Sequence, residues 1–283
     1  MKLIVQPDDG IAPLLGAIKK AKTRVDMVIF RFDVSEIEDA LEKAVARGVE
    51  VRALVAHTNK RGEKKLRQLE DRLLAHGVTV DRTADKLLRY HGKLLVIDNR
   101  RAFILGFNYT YQDIQKSRSF GVMTAKKRVV AQIQQLIAAD ASRQPFEGAL
   151  PNLVISPENS RARLGAFIKK ARRELLIYDA GVSDDAMIGL LKKRAAAGVR
   201  VRILGTLEKK WRGGDLRVGE VAGKKLHVRA IIRDRRDAFV GSQSLRKLEL
   251  DERREVGIIV RDAAVVRRLV NIFRGDWKKR RRP

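Results

Sequence analysis

The 283-residue chain contains no cysteine. That excludes a disulfide framework, a thiolate nucleophile and any metal site built on cysteine sulfur. Aromatic residues make up only 5% of the chain, so there is little from which to build stacking platforms for single-stranded nucleic acid. Negative charge is also short: 34 Asp and Glu stand against 61 Lys and Arg. No apolar run approaches the roughly 18 residues of a transmembrane segment. The opening stretch, MKLIVQPDD, is too short in apolar residues for a signal peptide. A cytoplasmic protein is expected, one that can touch a membrane surface peripherally without crossing it.

What the chain does have is 45% apolar residues, enough to bury a core, and a length suited to one large domain or two of about 140 residues. A formal net charge of +27 repels compact packing unless a polyanion compensates it. Nucleic acid, an anionic lipid surface and phosphate-bearing substrates are therefore the candidate partners. The block Lys278-Lys279-Arg280-Arg281-Arg282 is the densest, and reads either as a frayed, solvated tail or as a contact for such a partner.

The chain repeats itself. GVEVRAL (48–54) recurs as GVRVRIL (198–204), with five of seven positions identical at a shift of 150. IKKA (18–21) recurs at 168–171, and Pro7 matches Pro157. Further on, His91 and Asp98 pair with His227 and Asp234 at a shift of 136, so the first copy carries 14 extra residues. The charged, helix-like stretch 59–76 is where they are expected, opposite a shorter stretch at 208–214. A constant offset over several landmarks implies two copies of one module, 1–145 and 151–283.

Each copy has the same rhythm. Apolar runs of strand type at 25–30 and 175–178 lead into helical patterns at 36–46 and 185–197, with Ser35 and Ser183 placed as N-caps. Gly48 and Gly198 close those helices, and strands follow at 49–55 and 199–204. Strand–helix–strand with connections this long implies parallel crossovers and hence an α/β layer architecture. Further strands are expected at 93–97 with 102–105, and at 228–232 with 238–240. Each module should be a mixed β-sheet flanked by helices.

Of four histidines, His91 and His227 occupy matched places in the repeat, whereas His57 and His76 lie outside it and read as surface or loop residues. In a strand, residues two apart share a face. His91 and Lys93 therefore project together, as do His227 and Arg229, while Leu94 and Val96 point the other way into the core. A neutral imidazole can attack phosphorus, and a neighbouring cation can hold the phosphoryl oxygens as charge develops on them. If the two copies face each other across a pseudo-twofold axis, one imidazole can attack while the other protonates the leaving oxygen. This chemistry needs no metal or cofactor. Asp98 and Asp234, at strand ends, read as turn and backbone-bonding residues of the motif.

The pattern H-x-K-x4-D followed by G-[GST]-x-N, present twice, resembles the phospholipase D superfamily over essentially the whole chain, including Asp276-Trp277 near the end. That resemblance implies two pseudo-twofold-related α/β/α modules sharing one active site. It implies His91 as the nucleophile that forms a phosphohistidine and His227 as the general acid. Lys93 and Asn108 would bind phosphate, with Arg229, Ser242 and Ser244 in the corresponding places of the second copy. The sequence departs from the pattern at Arg229 (for Lys), Ser244 (for Asn) and Leu105 (for the first Gly). A downstream carboxylate often orients a catalytic histidine in such enzymes. Glu255, 28 residues after His227, fits that place, but its match after His91 is Ser119, which holds no charge. Arg118 and Arg254 also match and are placed to hold the loops behind the site.

Three functions follow from these features. The leading one is a metal-independent phosphodiesterase or phosphatidyltransferase acting on phospholipids, drawn to anionic bilayers by its basic surface. The second is a nuclease using the same two histidines, favoured by the charge. The third is a polyanion-binding protein with little or no catalysis, which the substitutions at Arg229, Ser244 and Ser119 keep open.

Overall fold

A computed structural model of the chain describes residues 1–58, 63–83, 90–208 and 215–281. Short aliphatic and β-branched runs form the strands, and longer stretches with apolar residues on one side form the helices. In the first half these are β1 (Lys2–Gln6), α1 (Ala12–Lys19), β2 (Arg24–Ile29), α2 (Ser35–Ala46), β3 (Glu50–Val55) and α3 (Glu63–Ala75). Then come β4 (Thr79–Arg82), β5 (Leu94–Ile97), β6 (Arg101–Leu105), α4 (Tyr111–Gln115), β7 (Ser117–Thr124) and α5 (Lys127–Ala141). The second half begins with β8 (Leu153–Ser156), α6 (Ser160–Lys169), β9 (Glu174–Val182), α7 (Asp185–Ala196), β10 (Arg200–Leu207) and β11 (Leu216–Gly219). It ends with β12 (Lys225–Leu226), β13 (Arg229–Arg233), β14 (Asp237–Gly241), α8 (Lys247–Asp251), β15 (Glu255–Val260) and α9 (Ala263–Lys278).

Two mixed sheets result. The first runs β1-β7-β6-β5-β2-β3-β4, and the second β11-β10-β9-β13-β14-β15-β8. The crossover pairs β2–β3 and β9–β10 are parallel, whereas the motif strands β5 and β13 pair antiparallel to their neighbours. Helices α1 to α3 cover the outer face of the first sheet through Leu14, Ile37, Leu41 and Leu69. Helices α6 and α7 do the same for the second through Leu164, Ile188 and Leu191. Between the sheets lies a single continuous core, joined by Ile133 and Leu136 of α5 and by Leu269 and Phe273 of α9. Alternation along β5 sends Leu94 and Val96 into this middle core and Leu95 and Ile97 into the outer one. Each fully buried aliphatic side chain contributes about 1.5–3 kcal/mol, so the halves are held together by a hydrophobic interior rather than a wet interface.

The halves also exchange backbone. Strand β12 of the second half pairs with β7 of the first sheet. Gly106 sits where they meet: a Cβ there would lie 2.8 Å from the Gly241 carbonyl and 2.9 Å from that of Phe120. Helix α3 supplies most of the first copy's extra length, and the described residues between β10 and β11 contain no counterpart. Residues 59–62 of the expected insertion, and most of 208–214 opposite it, lie outside the described residues.

Two local expectations need correction. Ser35 is the first residue of α2 rather than its cap; Val34 stands at the N-cap position without a side-chain bond. In α7 the cap is Asp184, not Ser183, because its carboxylate reaches the Met187 amide. The basic end is not frayed up to Arg281: Arg280 lies over the Trp277 ring at 4.2 Å, and Arg281 exchanges backbone hydrogen bonds with Glu220.

Candidate active site

Both motif strands are aimed by their far ends. Asp98 and Asn99 (φ 52° and 55°), like Asp234 and Arg235 (φ 51° and 55°), form the two left-handed positions of tight hairpin turns. Aspartate tolerates that conformation, and its carboxylate gathers orphan amides. Asp98 accepts from the amides of Lys22, Thr23 and Arg24, and Asp234 from those of Arg172, Arg173 and Glu174. Each ties the motif hairpin to the start of the neighbouring strand, seven residues on from the histidine.

At the near ends the halves cross over. The His91 amide donates to the Arg254 carbonyl at 2.8 Å, and the His227 amide to the Arg118 carbonyl at 3.2 Å. Behind the histidines the arginines cross too. Arg118 Nε is 2.9 Å from Asp276 Oδ2, while Arg254 Nη2 is 3.0 Å from Asp140 Oδ1. The Tyr178 hydroxyl donates to Asp276 at 2.7 Å, and the Tyr90 hydroxyl donates to Asp140. All four of these arginine and aspartate positions match at the shift of 136. Arg118 and Arg254 therefore brace the two halves against one another.

Glu255 does not serve the histidine of its own half. Its Oε2 lies 2.9 Å from Nδ1 of His91, across the module boundary. Ser119, its counterpart, donates to the His227 carbonyl at 3.0 Å. The carboxylate beside His227 is Asp113 of α4, with Oδ2 3.2 Å from Nδ1, close enough for charge contact but poorly aligned for a hydrogen bond. Asp113 was missed in the sequence, although a signal exists: its repeat mate is Glu249, also acidic. Glu249 pairs with Arg253, which itself stands 3.8 Å from Glu255. Each histidine thus has a carboxylate supplied by the opposite half.

The cations converge here. Lys93 is 1% exposed, and its Nζ lies 2.8 and 3.0 Å from the two ring nitrogens of His91. Arg229 Nε donates to Ser244 Oγ at 3.0 Å, leaving Nη1 buried without a partner. Ser244 is thereby spent on aiming Arg229, with Asp179 beside it. Ser242 is likewise engaged, its hydroxyl bonding the Val256 backbone. Neither serine stands free as a phosphate ligand. Asn108 donates its Nδ2 to Asp113 at 2.7 Å and keeps one amide hydrogen for another acceptor. His57 and His76 lie elsewhere: the His57 amide bonds Thr83, and His76 sits 3.3 Å from Glu42.

Electrostatics follow from burial. His91 is held well below the usual histidine range, first by burial and then by Lys93, Arg229, Arg253 and Arg31. His227 is lowered in the same way, by burial and then by Arg229, Lys93 and His91, so the two rings share one field. Burial brings Lys93 down to about 7, against the pull of Glu255. Burial lifts Glu255 to about 7, opposed by Lys93, Ser242 and Arg229. The His91 side chain retains 9% exposure and that of His227 19%. Among the described residues, no group of three or more His, Asp and Glu could hold a metal ion.

Two α/β halves thus present paired histidines, cations and crossed carboxylates around one centre, the arrangement of a two-module α/β protein with a single shared site. The particular family is shown by sequence: residues 14–141 and 164–277 match the family described as "Cardiolipin synthase, PLD-like domain", and the chain belongs to it. No curated protein sequence matches the chain. Polyphosphate kinase from Porphyromonas gingivalis shares the fold at a TM-score of 0.79 and 19% identity, over 96% of this chain. This chain spans only 49% of that enzyme. Phosphatidylserine synthase from Haemophilus influenzae Rd KW20 aligns at a TM-score of 0.73 and 12% identity, covering 97% of this chain and 86% of its own. The phospholipase D family member Nuc from Salmonella typhimurium aligns with 52% of this chain at 20% identity and a TM-score of 0.45.

Proposed function

We propose that the chain cleaves or transfers a phosphodiester through a covalent phosphohistidine, and that the substrate is a phospholipid. The observation that carries the chemistry is the crossed pairing, in which Glu255 of the second half holds His91 and Asp113 of the first half flanks His227. With its Nδ1 proton directed at Glu255, His91 presents the Nε2 lone pair to phosphorus. A P–N bond forms as the P–O bond to the leaving group breaks, and His227 gives its proton to the departing oxygen. Lys93 and Arg229 neutralise the phosphoryl oxygens. In the second step His227 takes a proton from water or an alcohol, whose oxygen displaces Nε2 and frees His91.

The low proton affinity of His227 fits this sequence of events. Its depression comes from burial and from Arg229 and Lys93. An anionic phosphodiester between those cations reverses part of that field, so substrate binding loads the acid. Support for a lipid substrate is the family's description and the phosphatidylserine synthase that shares the fold. A second reading, the same chemistry on nucleic acid, is favoured by the net charge of +27 and by Leu74 being the one large apolar side chain strongly exposed among the described residues. The test is to incubate the protein with phosphatidylglycerol or phosphatidylcholine vesicles, and separately with plasmid DNA. Headgroup release that disappears in both His91→Ala and His227→Ala is expected. Plasmid nicking without headgroup release would replace the lipid by nucleic acid, and activity on neither would refute the proposal.

A further inference from the structure

At the opposite end of the second sheet from the histidines lies a groove of about 980 Å³, bounded by the β13–β14 turn, the loop after α6 and the outer stripe of α9. Strand β13 separates the two places: Arg229 is at the site and Arg233 at the groove, four residues or about 13 Å apart. The groove continues into a second one of about 740 Å³, which shares Lys170, Arg233 and Arg261 and reaches Lys127 and Arg128 at the start of α5.

Eight of the thirteen residues lining the first groove are Lys or Arg, and its two acids, Asp234 and Asp237, are already occupied. Asp234 caps backbone amides, and Asp237 takes Arg233 at 2.5 Å and Arg261 at 3.1 Å. The lining of the second groove contains no acid at all. Lys170, Arg172, Arg236, Arg267 and Arg274 are exposed, and no carboxylate pairs with them among the described residues.

For Arg267 and Arg274 the internal repeat shows that the fold does not require the charge, whereas Lys170, Arg172 and Arg236 fall on Lys20, Lys22 and Arg100. At the shift of 136, α9 corresponds to α5, and Arg267 and Arg274 fall on Ala131 and Ala138. The same helix in the same layer is built in the first half with small neutral residues at those places. Arg267 and Arg274 are therefore not needed to pack this helix, which leaves them free for a ligand. Seven residues apart on one helix face, they are spaced about 10.5 Å along the axis, close to three nucleotide steps of about 3.4 Å each along one strand of a duplex. A concave, extended track also suits a rod of phosphates better than it suits a flat bilayer.

We infer that this far-face groove binds the phosphate backbone of duplex nucleic acid, at a site separate from the two histidines. Binding there is read by phosphate and not by base, so it is independent of sequence and steep in salt. It would hold the chain on a polyanion while leaving the catalytic cleft open to its own substrate.

The test uses the full chain and a fluorescein-labelled 20-base-pair DNA duplex of arbitrary sequence, with anisotropy measured from 50 to 300 mM NaCl. The variants are R267Q/R274Q and, at the other end of the track, K127Q/R128Q, each checked by its melting curve. Losing two phosphate contacts should reduce the log–log salt slope by about 2 and weaken binding on the order of tenfold per arginine at 0.1 M salt. Hydrolysis of bis(p-nitrophenyl) phosphate should stay at the parent level in both variants. Duplex binding that is absent from the parent, or undiminished in the folded variants, would overturn the inference. Variant-sensitive binding to phosphatidylglycerol vesicles without duplex binding would assign the groove to a membrane instead. Because anisotropy and hydrolysis are separate readouts, failure of the catalytic proposal leaves this one to stand or fall alone.

Discussion

Replacing Glu255 by Gln keeps the shape and an acceptor oxygen but removes one buried charge. Glu255 is 0% exposed and stands 2.9 Å from His91 Nδ1. If His91 is the nucleophile, positive charge grows on its ring as the P–N bond forms, and the carboxylate opposes Lys93, Arg229, Arg253 and Arg31, all of which disfavour that charge. A hydrogen bond to a charged group contributes about 1.5–3 kcal/mol, so kcat/KM should fall roughly 10- to 150-fold. The pH profile carries the sharper signature. In the parent, Glu255 must lose its proton and Lys93 must keep its own, and both groups titrate at about 7. The rate should therefore peak in a narrow bell near neutrality, falling on the acid side as Glu255 gains a proton and on the alkaline side as Lys93 loses one. Glutamine removes the acid limb. It also removes the group that does most to raise the Lys93 pKa, which moves the alkaline limb to lower pH. The assay is kcat/KM on bis(p-nitrophenyl) phosphate from pH 5 to 9 at fixed ionic strength, with the melting temperature as a folding control. A folded variant with a rate within twofold of the parent and an unmoved profile would refute the reasoning.

Two other substitutions test separate parts of the molecule. Asp113→Asn, beside His227, should slow a substrate with a poor alkoxide leaving group by at least tenfold more than it slows a p-nitrophenyl ester, because only the former needs its proton in the transition state; equal losses on the two substrates would argue against His227 as the acid. Asp276→Ala leaves Arg118, whose side chain is 6% exposed, without its main carboxylate, and loss of one partner of a buried pair costs about 3–5 kcal/mol. A melting temperature lowered by roughly 6–20 °C is expected in calorimetry, and a drop under 2 °C would show that this cross-brace is not needed.

Much of the architecture was legible because the chain is duplicated. Strings such as GVEVRAL and GVRVRIL mark the crossover strands directly, and hydrophobic alternation places Leu94 and Val96 in the middle core. Cap positions were less legible: Ser183 and Asp184 are of nearly equal propensity, and at α2 the poor cap residue Val34 takes the position ahead of Ser35, so the entry angle of the chain and not propensity decides. The site was legible as residue types but not as partnerships. Glu255 follows His227 in sequence, yet it bonds His91, because β15 enters the centre beside the start of the other motif. Spacing along a chain says which residues are near in sequence; it does not say which half of a pseudo-symmetric pair they will face. Ser242 and Ser244 illustrate the same limit: both belong to the motif, and both are spent on protein partners.

The duplication supplies the frame, and the departures from it supply the chemistry. Symmetry accounts for both backbone tethers, His91 to Arg254 and His227 to Arg118, and for both arginine–aspartate braces. Perfect symmetry would give two imidazoles with equal surroundings, which is a poor arrangement when one must attack and the other must hand over a proton. Three matched pairs break it: Lys93 against Arg229, Ser119 against Glu255, and Asp113 against Glu249. Their joint effect gives His91 a buried carboxylate in direct hydrogen-bond contact and a titratable lysine at its ring. His227 receives a misaligned aspartate, a serine on its carbonyl and Arg229 nearby. The first environment favours a neutral ring with a fixed tautomer. The second favours a ring whose proton is gained and lost with the charge of whatever lies between Lys93 and Arg229. In the proposed mechanism, these departures from symmetry, spread over both halves, are what would distinguish the two histidines' roles.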